Sequence, residues 1–84
     1  MRIIDIGKRV EKVIIEVFQL GGQKIDKNWT SNDIQNWDSL GHLTLVIAIE
    51  KEFNMKFEVE DFFKIKSIKD IEELVKEKLK IQDS

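Results

Sequence analysis

The sequence predicts an all-α domain, and three observations carry that prediction. Apolar residues recur with helical spacing in three long segments. Proline is absent and glycine occurs only four times. The connection between the first two of those segments, residues 21–37, is rich in Asn, Asp, Ser and Lys, which suits helices joined by polar loops.

The first helix is expected over about Asp5 to Leu20. At about 100° per residue, Ile6, Val10, Val13, Ile14, Val17, Phe18 and Leu20 share one broad face, with Lys8, Lys12, Glu16 and Gln19 opposite. Gly21-Gly22 is expected to stop it, because glycine readily takes the left-handed conformation that ends helices. Residues 21–37 then form a long polar connection. Ile25, Trp29, Ile34 and Trp37 are expected to pin it to the core, with a helical turn near Ser31–Ile34.

A second helix is predicted over Ser39 to Phe53, capped by Asp38 or Ser39 and ended by Asn54. Its apolar residues fall on two faces. Leu45, Val46, Ile49 and Phe53 form one, and Leu40, Leu43 and Ile47 the other. A small domain has little room to bury a helix all round, so the second face is assigned to a partner. Residues 55–65 read as a loop and a short helix, with Phe57, Val59, Phe62, Phe63 and Ile65 as apolar anchors. Ser67-x-x-Asp70 has capping-box spacing and opens a last helix whose buried face is Ile68, Ile71, Leu74, Val75 and Leu79; the tail from Ile81 is expected to fray. Residues 1–84 make one small domain with one modest core.

Composition narrows the function. The chain has no cysteine, which excludes disulfides and thiolate metal sites. A charge interrupts the apolar N-terminus at Asp5, and no apolar run is long enough to span a bilayer, so a cytoplasmic protein without membrane attachment is expected. The net charge is −2, but residues 38–63 carry six acidic side chains and two basic ones. Acidity placed there disfavours nucleic acid and favours basic protein partners. Lys76, Lys78 and Lys80 are read as a solvated face.

Asp38-Ser39-Leu40 is the focal motif. It sets a hydroxyl at the positive end of a helix, beside an apolar residue, where a phosphate ester is stabilised by free N–H groups and the helix dipole. The one histidine, His42, lies one turn later. A serine–histidine nucleophile pair is disfavoured, because no nucleophile-elbow glycine pattern surrounds Ser39 and 84 residues offer little room for an oxyanion hole. His42 and Trp37 are assigned to packing and loop anchoring.

The segment Asp38-Ser39-Leu40-Gly41-His42-Leu43, followed by Leu45 to Phe53 with its Glu50-Lys51-Glu52-Phe53 ending, resembles the signature stretch of acyl carrier proteins, as does Ser67-Ile68-Lys69-Asp70-Ile71. The likeness covers nearly the whole chain in element order and is densest over residues 37–75. It implies a small acyl-carrier-like bundle of three longer helices plus one short helix, with a long first loop, monomeric and not an enzyme. It further implies that Ser39 accepts 4′-phosphopantetheine from coenzyme A through a separate phosphopantetheinyl transferase, and that the arm's thiol carries acyl groups as thioesters for acyl-loading and acyl-using enzymes. Asp38 would cap the helix and Leu40 would touch the transferase. Leu43 and Ile47 would extend that contact, with Glu50, Glu58, Glu60 and Asp61 steering basic enzymes toward it.

The chain departs from the usual fatty-acid pattern, which has acidic residues soon after the Asp-Ser-Leu and a far more negative charge; here the positions hold Gly41 and Thr44. The departure favours a carrier dedicated to a specialised acyl, polyketide, lipopeptide or surface-polysaccharide pathway over a housekeeping one. Asn36-Trp37 stands where peptidyl carriers usually show a Gly-Gly pair. An arm-less helical adaptor that binds through Leu40, Leu43 and Ile47 is the alternative from another class.

Overall fold

The computed structural model describes residues 5–83, and the side chains of residues 5–79. Four helices follow in order: α1 (Ile6–Phe18), α2 (Ser39–Phe53), α3 (Val59–Lys64) and α4 (Ile68–Asp83). Among the described residues there is no strand; Thr30 and Ser67 form a single isolated antiparallel bridge. The expected three longer helices, one short helix and long first loop are all present.

Helix α1 starts where Asp5 accepts a hydrogen bond from the Lys8 N–H at 3.1 Å. Its end differs from expectation. Gln19 itself adopts the left-handed conformation, with φ 57°, and the Leu20 N–H closes back on the Ile15 carbonyl at 3.0 Å. The stop therefore comes two residues before Gly21-Gly22. The Schellman-type closure supplies the missing partners for the last carbonyls, and Gln19 bears the conformational cost. Helix α2 ends as expected at Asn54, also left-handed at φ 53°.

The core is built from one stripe of each long helix. Val10, Val13, Ile14 and Phe18 of α1 meet Leu45, Val46, Ile49 and Phe53 of α2 and Ile68, Ile71, Leu74 and Val75 of α4. Val17 and Leu79, expected inside, pack only partly against this cluster. Arg9 ties α1 to the last turn of α2. Its guanidinium reaches the Glu52 carboxylate at 2.9 Å and the Glu52 carbonyl at 2.8 Å, and lies 4.6 Å from the Phe53 ring centroid.

The first loop is a structural element in its own right. Ile34 and Trp37 are buried and Ile25 and Trp29 pack partly on the core, as the sequence predicts. The stretch near Ser31–Ile34 is a turn, closed by the Asp33 N–H on the Thr30 carbonyl at 2.9 Å. The loop also serves α4. The Ile68 and Lys69 N–H groups, orphans at a helix start, bond the Trp29 and Lys27 carbonyls at 3.1 and 2.9 Å. Ser67 and Asp70 form the predicted capping box, each side chain accepting from the other's N–H at 3.3 and 3.1 Å. The helix runs on to Asp83, through residues where fraying was expected.

Candidate functional site

Asp38 is the N-cap of α2. Its backbone is extended, and its Oδ1 accepts from the Gly41 N–H at 2.9 Å. Ser39 is thereby the first helical residue, exposed to solvent. No hydrogen bond within the described residues engages its hydroxyl. An uncommitted hydroxyl thus stands at the positive end of a fifteen-residue helix.

Gly41 explains how the loop can lie so close. A Cβ there would collide with the Asn36 carbonyl oxygen and sit 3.1 Å from the Phe18 ring. Asn36 holds a positive φ of 74° as the chain turns toward Asp38. Position 41 therefore faces the loop rather than a partner. The packing accounts for the absence of an acidic side chain there, so Gly41 carries less weight as a departure from the fatty-acid pattern. Thr44 is exposed, and its hydroxyl bonds the Leu40 carbonyl at 3.0 Å.

Beside Ser39 opens a cavity of about 640 Å³. Thr30, Ser31 and Asn32 of the first loop, Trp37 to Ser39, His42, and Phe62, Ile65 and Lys66 line it. His42 is bonded on both ring nitrogens. The Trp37 indole N–H donates to Nδ1 at 2.9 Å, and Nε2 lies 2.8 Å from the Phe62 carbonyl. Neither nitrogen is left to activate Ser39.

The assigned partner residues divide. Leu40, Leu43 and Ile47 are exposed at 72%, 45% and 44%, forming an apolar row on α2. Glu58 and Glu60 are exposed as well. Glu50 is half-buried, and its carboxylate accepts from the Phe57 N–H at 2.8 Å, so it anchors the loop after α2. Asp61 is a correction. It is buried, only 6% exposed, accepts from the Glu58 N–H at 2.8 Å, and pairs with Lys78 at 2.8 Å. It caps α3 and binds it to α4. Lys78, read as solvated, is its partner. Burial alone would raise the Asp61 pKa, but the Lys78 ammonium and the Glu58 N–H outweigh it and hold the carboxyl below its ordinary value. Its bond to Asp61 in turn raises Lys78.

Val59 and Phe63 are a second correction. Both were expected as anchors, yet they are exposed at 76% and 69%, while Phe62 and Ile65 turn inward. Residues 59 and 63 are four apart and share one face of α3, but Val59 and Phe62, three apart, are neighbours as well, so spacing alone does not tell the exposed side chains from the inward one. They border a groove with Val46, Glu50 and Phe57. Sequence reasoning also missed the burial of Glu72, which pairs with Lys27 at 3.4 Å.

Comparison with known proteins agrees with this geometry. Residues 36–75 match a family described as the phosphopantetheine attachment site. An acyl carrier protein of Petrotoga mobilis is 28% identical over 79 residues, spanning 94% of this chain and 93% of that protein. Two acyl carrier proteins of Buchnera aphidicola are also similar. The one from subspecies Schizaphis graminum is 30% identical over 64 residues (76% of this chain, 81% of that protein), and the one from subspecies Baizongia pistaciae is 31% identical over 72 residues (86% and 92%). The residues present fit the group, since the matched segment holds an exposed, unbonded hydroxyl at a helix head beside an open cavity. The chain belongs to the acyl carrier protein family, and its prosthetic group is covalently held 4′-phosphopantetheine.

Proposed function

We propose that Ser39 is the residue that carries the arm, received from coenzyme A through a phosphopantetheinyl transferase. The single observation behind this is the free Ser39 hydroxyl at the start of α2, capped by Asp38 and flanked by exposed Leu40. The arm's thiol supplies thioester chemistry, holding acyl groups for other enzymes. This chain's own residues orient and present it. Asp38 fixes the helix head, Leu40, Leu43 and Ile47 meet the partner, and Glu58 and Glu60 steer basic enzymes to that face. Ser39→Ala removes the only acceptor, so intact mass after incubation with transferase and coenzyme A tests the assignment.

The carrier serves a specialised acyl, polyketide, lipopeptide or surface-polysaccharide pathway, working as a cytoplasmic monomer. Support comes from the partner face, which is apolar with Thr44 exposed at its edge, and from the modest net charge of −2. Among the described residues no helix is long and apolar enough to cross a membrane. Reconstitution with a fatty-acid synthase set tests the pathway reading. Weak loading and elongation are expected; efficient elongation would restore the housekeeping role.

A further inference from the structure

We propose that His42 is a positioning residue: it fixes α3 against the head of α2, so that Ser39, Leu40 and the exposed apolar side chains of α3 meet a partner as one surface. The proposal rests on the reading of Ser39 as the arm-bearing residue.

The hydrogen bonds define the ring's state. The Trp37 indole can only donate, so Nδ1 must accept. Nε2 then carries the proton and donates to the Phe62 carbonyl. The ring is neutral and held in one tautomer. It stacks on Trp37, with centroids 6.2 Å apart and planes at 14°, and meets Phe62 edge-on at 4.5 Å and 88°.

Three elements are joined by this one side chain. Trp37 directly precedes the Asp38 cap, His42 is on α2, and Phe62 is in the last turn of α3. The Phe62 carbonyl is one of those a helix end leaves without an internal partner, and His42 supplies it. Helix α3 has six residues. A helix that short does not persist in water by itself, so its placement depends on its ties. Its other ties, Glu50 to the Phe57 N–H and Asp61 to Lys78, act on its start and middle. The bond from His42 to the Phe62 carbonyl lies C-terminal to both. Val59 and Phe63, the apolar side chains that α3 exposes, take their position relative to Ser39 from that tie.

Three variants separate the two bonds. His42→Gln keeps a donor for the Phe62 carbonyl. His42→Asn keeps an acceptor for Trp37. His42→Phe keeps the ring and loses both. In the arm-free chain, amide exchange in α3 should rise about tenfold in the Phe and Asn variants and stay near wild type in the Gln variant, because one lost bond is worth about a tenfold shift in local opening. Exchange in the core of α1 and α4 should not change. In arm transfer, KM should rise about tenfold in the Phe and Asn variants with kcat within about twofold, and Gln should rescue KM. If His42→Phe does not fold, the Asn–Gln contrast carries the test. Wild-type α3 exchange in the Asn variant would overturn the proposal. So would acceleration spread evenly over all helices, or an altered α3 exchange with unchanged KM. A wild-type chain that takes no arm would instead refute the Ser39 assignment, and α3 exchange would still decide whether His42 holds the helix.

Discussion

Replacing Gly41 with alanine sets two effects of opposite sign against each other. Alanine in a helix interior is favoured over glycine by about 1 kcal/mol. Against this, the new Cβ strikes the Asn36 carbonyl oxygen and comes within 3.1 Å of both the Asn36 carbonyl carbon and the Phe18 ring. The obstacle is backbone, and it is held on both sides by buried Ile34 and Trp37, at 3% and 4% exposure. It cannot yield as a flexible side chain would. Forcing extra volume into such a site costs typically about 1–3 kcal/mol, and a backbone obstacle belongs at or above the upper end. A net loss of about 2 kcal/mol is expected, which lowers Tm by roughly 8–16 °C in a domain of this size. Gly21→Ala is the control. A Cβ there meets nothing within 4 Å, so that variant should match or slightly exceed wild-type stability. Thermal and urea unfolding of both variants would decide the matter. A Gly41→Ala protein as stable as the Gly21→Ala protein would refute the close approach of the loop, and with it the packing explanation for the missing acid at position 41.

Three further outcomes follow from the same packing. Ile49, exposed at 1%, should cost about 2–5 kcal/mol when cut to alanine, and a loss below about 0.5 kcal/mol in urea unfolding would overturn the core assignment. Ile47→Ala should change stability by less than about 0.5 kcal/mol yet slow arm transfer, and added salt should slow association further; unchanged transfer kinetics would remove Ile47 from the partner face. Asp61 has a depressed pKa and Lys78 a raised one, so their bond stabilises the fold between about pH 4 and pH 10; it is lost as acid protonates Asp61 through its lowered value and as base deprotonates Lys78 through its raised one. Lys78→Met should therefore cost about 1–3 kcal/mol at neutral pH, and the deficit should shrink on acidification; a deficit constant from pH 7 to pH 3 would contradict the pairing.

Helical spacing and capping residues were enough to read the long elements. Val10, Ile14, Leu45, Ile49, Ile71 and Val75 lie inside because each long helix carries an apolar stripe that must leave water, while α2 keeps a second one, Leu40, Leu43 and Ile47, exposed. Asn54, Ser67 and Asp70 mark helix ends because their side chains or backbone meet local needs that do not depend on the rest of the fold. The head of α2 was legible for the same reason, since Asp38 caps it with a bond spanning three residues. What escaped was set by tertiary contacts that neither helical spacing nor local capping encodes. Gly41 is fixed by the loop that crosses it, Asp61 by Lys78 on α4, and His42 by an indole on one side and a carbonyl of α3 on the other. Charge pattern marked residues 38–63 as acidic, but charge alone does not tell a steering acid such as Glu60 from a capping one such as Asp61.

The central claim is that one hydroxyl, that of Ser39, receives the arm. Ser31 lines the same cavity and is also exposed, so it is the nearest competitor. The decisive measurement is mass spectrometry of the intact chain, and then of its proteolytic fragments, after incubation with a phosphopantetheinyl transferase and coenzyme A. The account predicts a single phosphopantetheine increment, confined to the fragment that contains Ser39, retained in Ser31→Ala and absent from Ser39→Ala. An increment on any other fragment, or one that persists in Ser39→Ala, would contradict it.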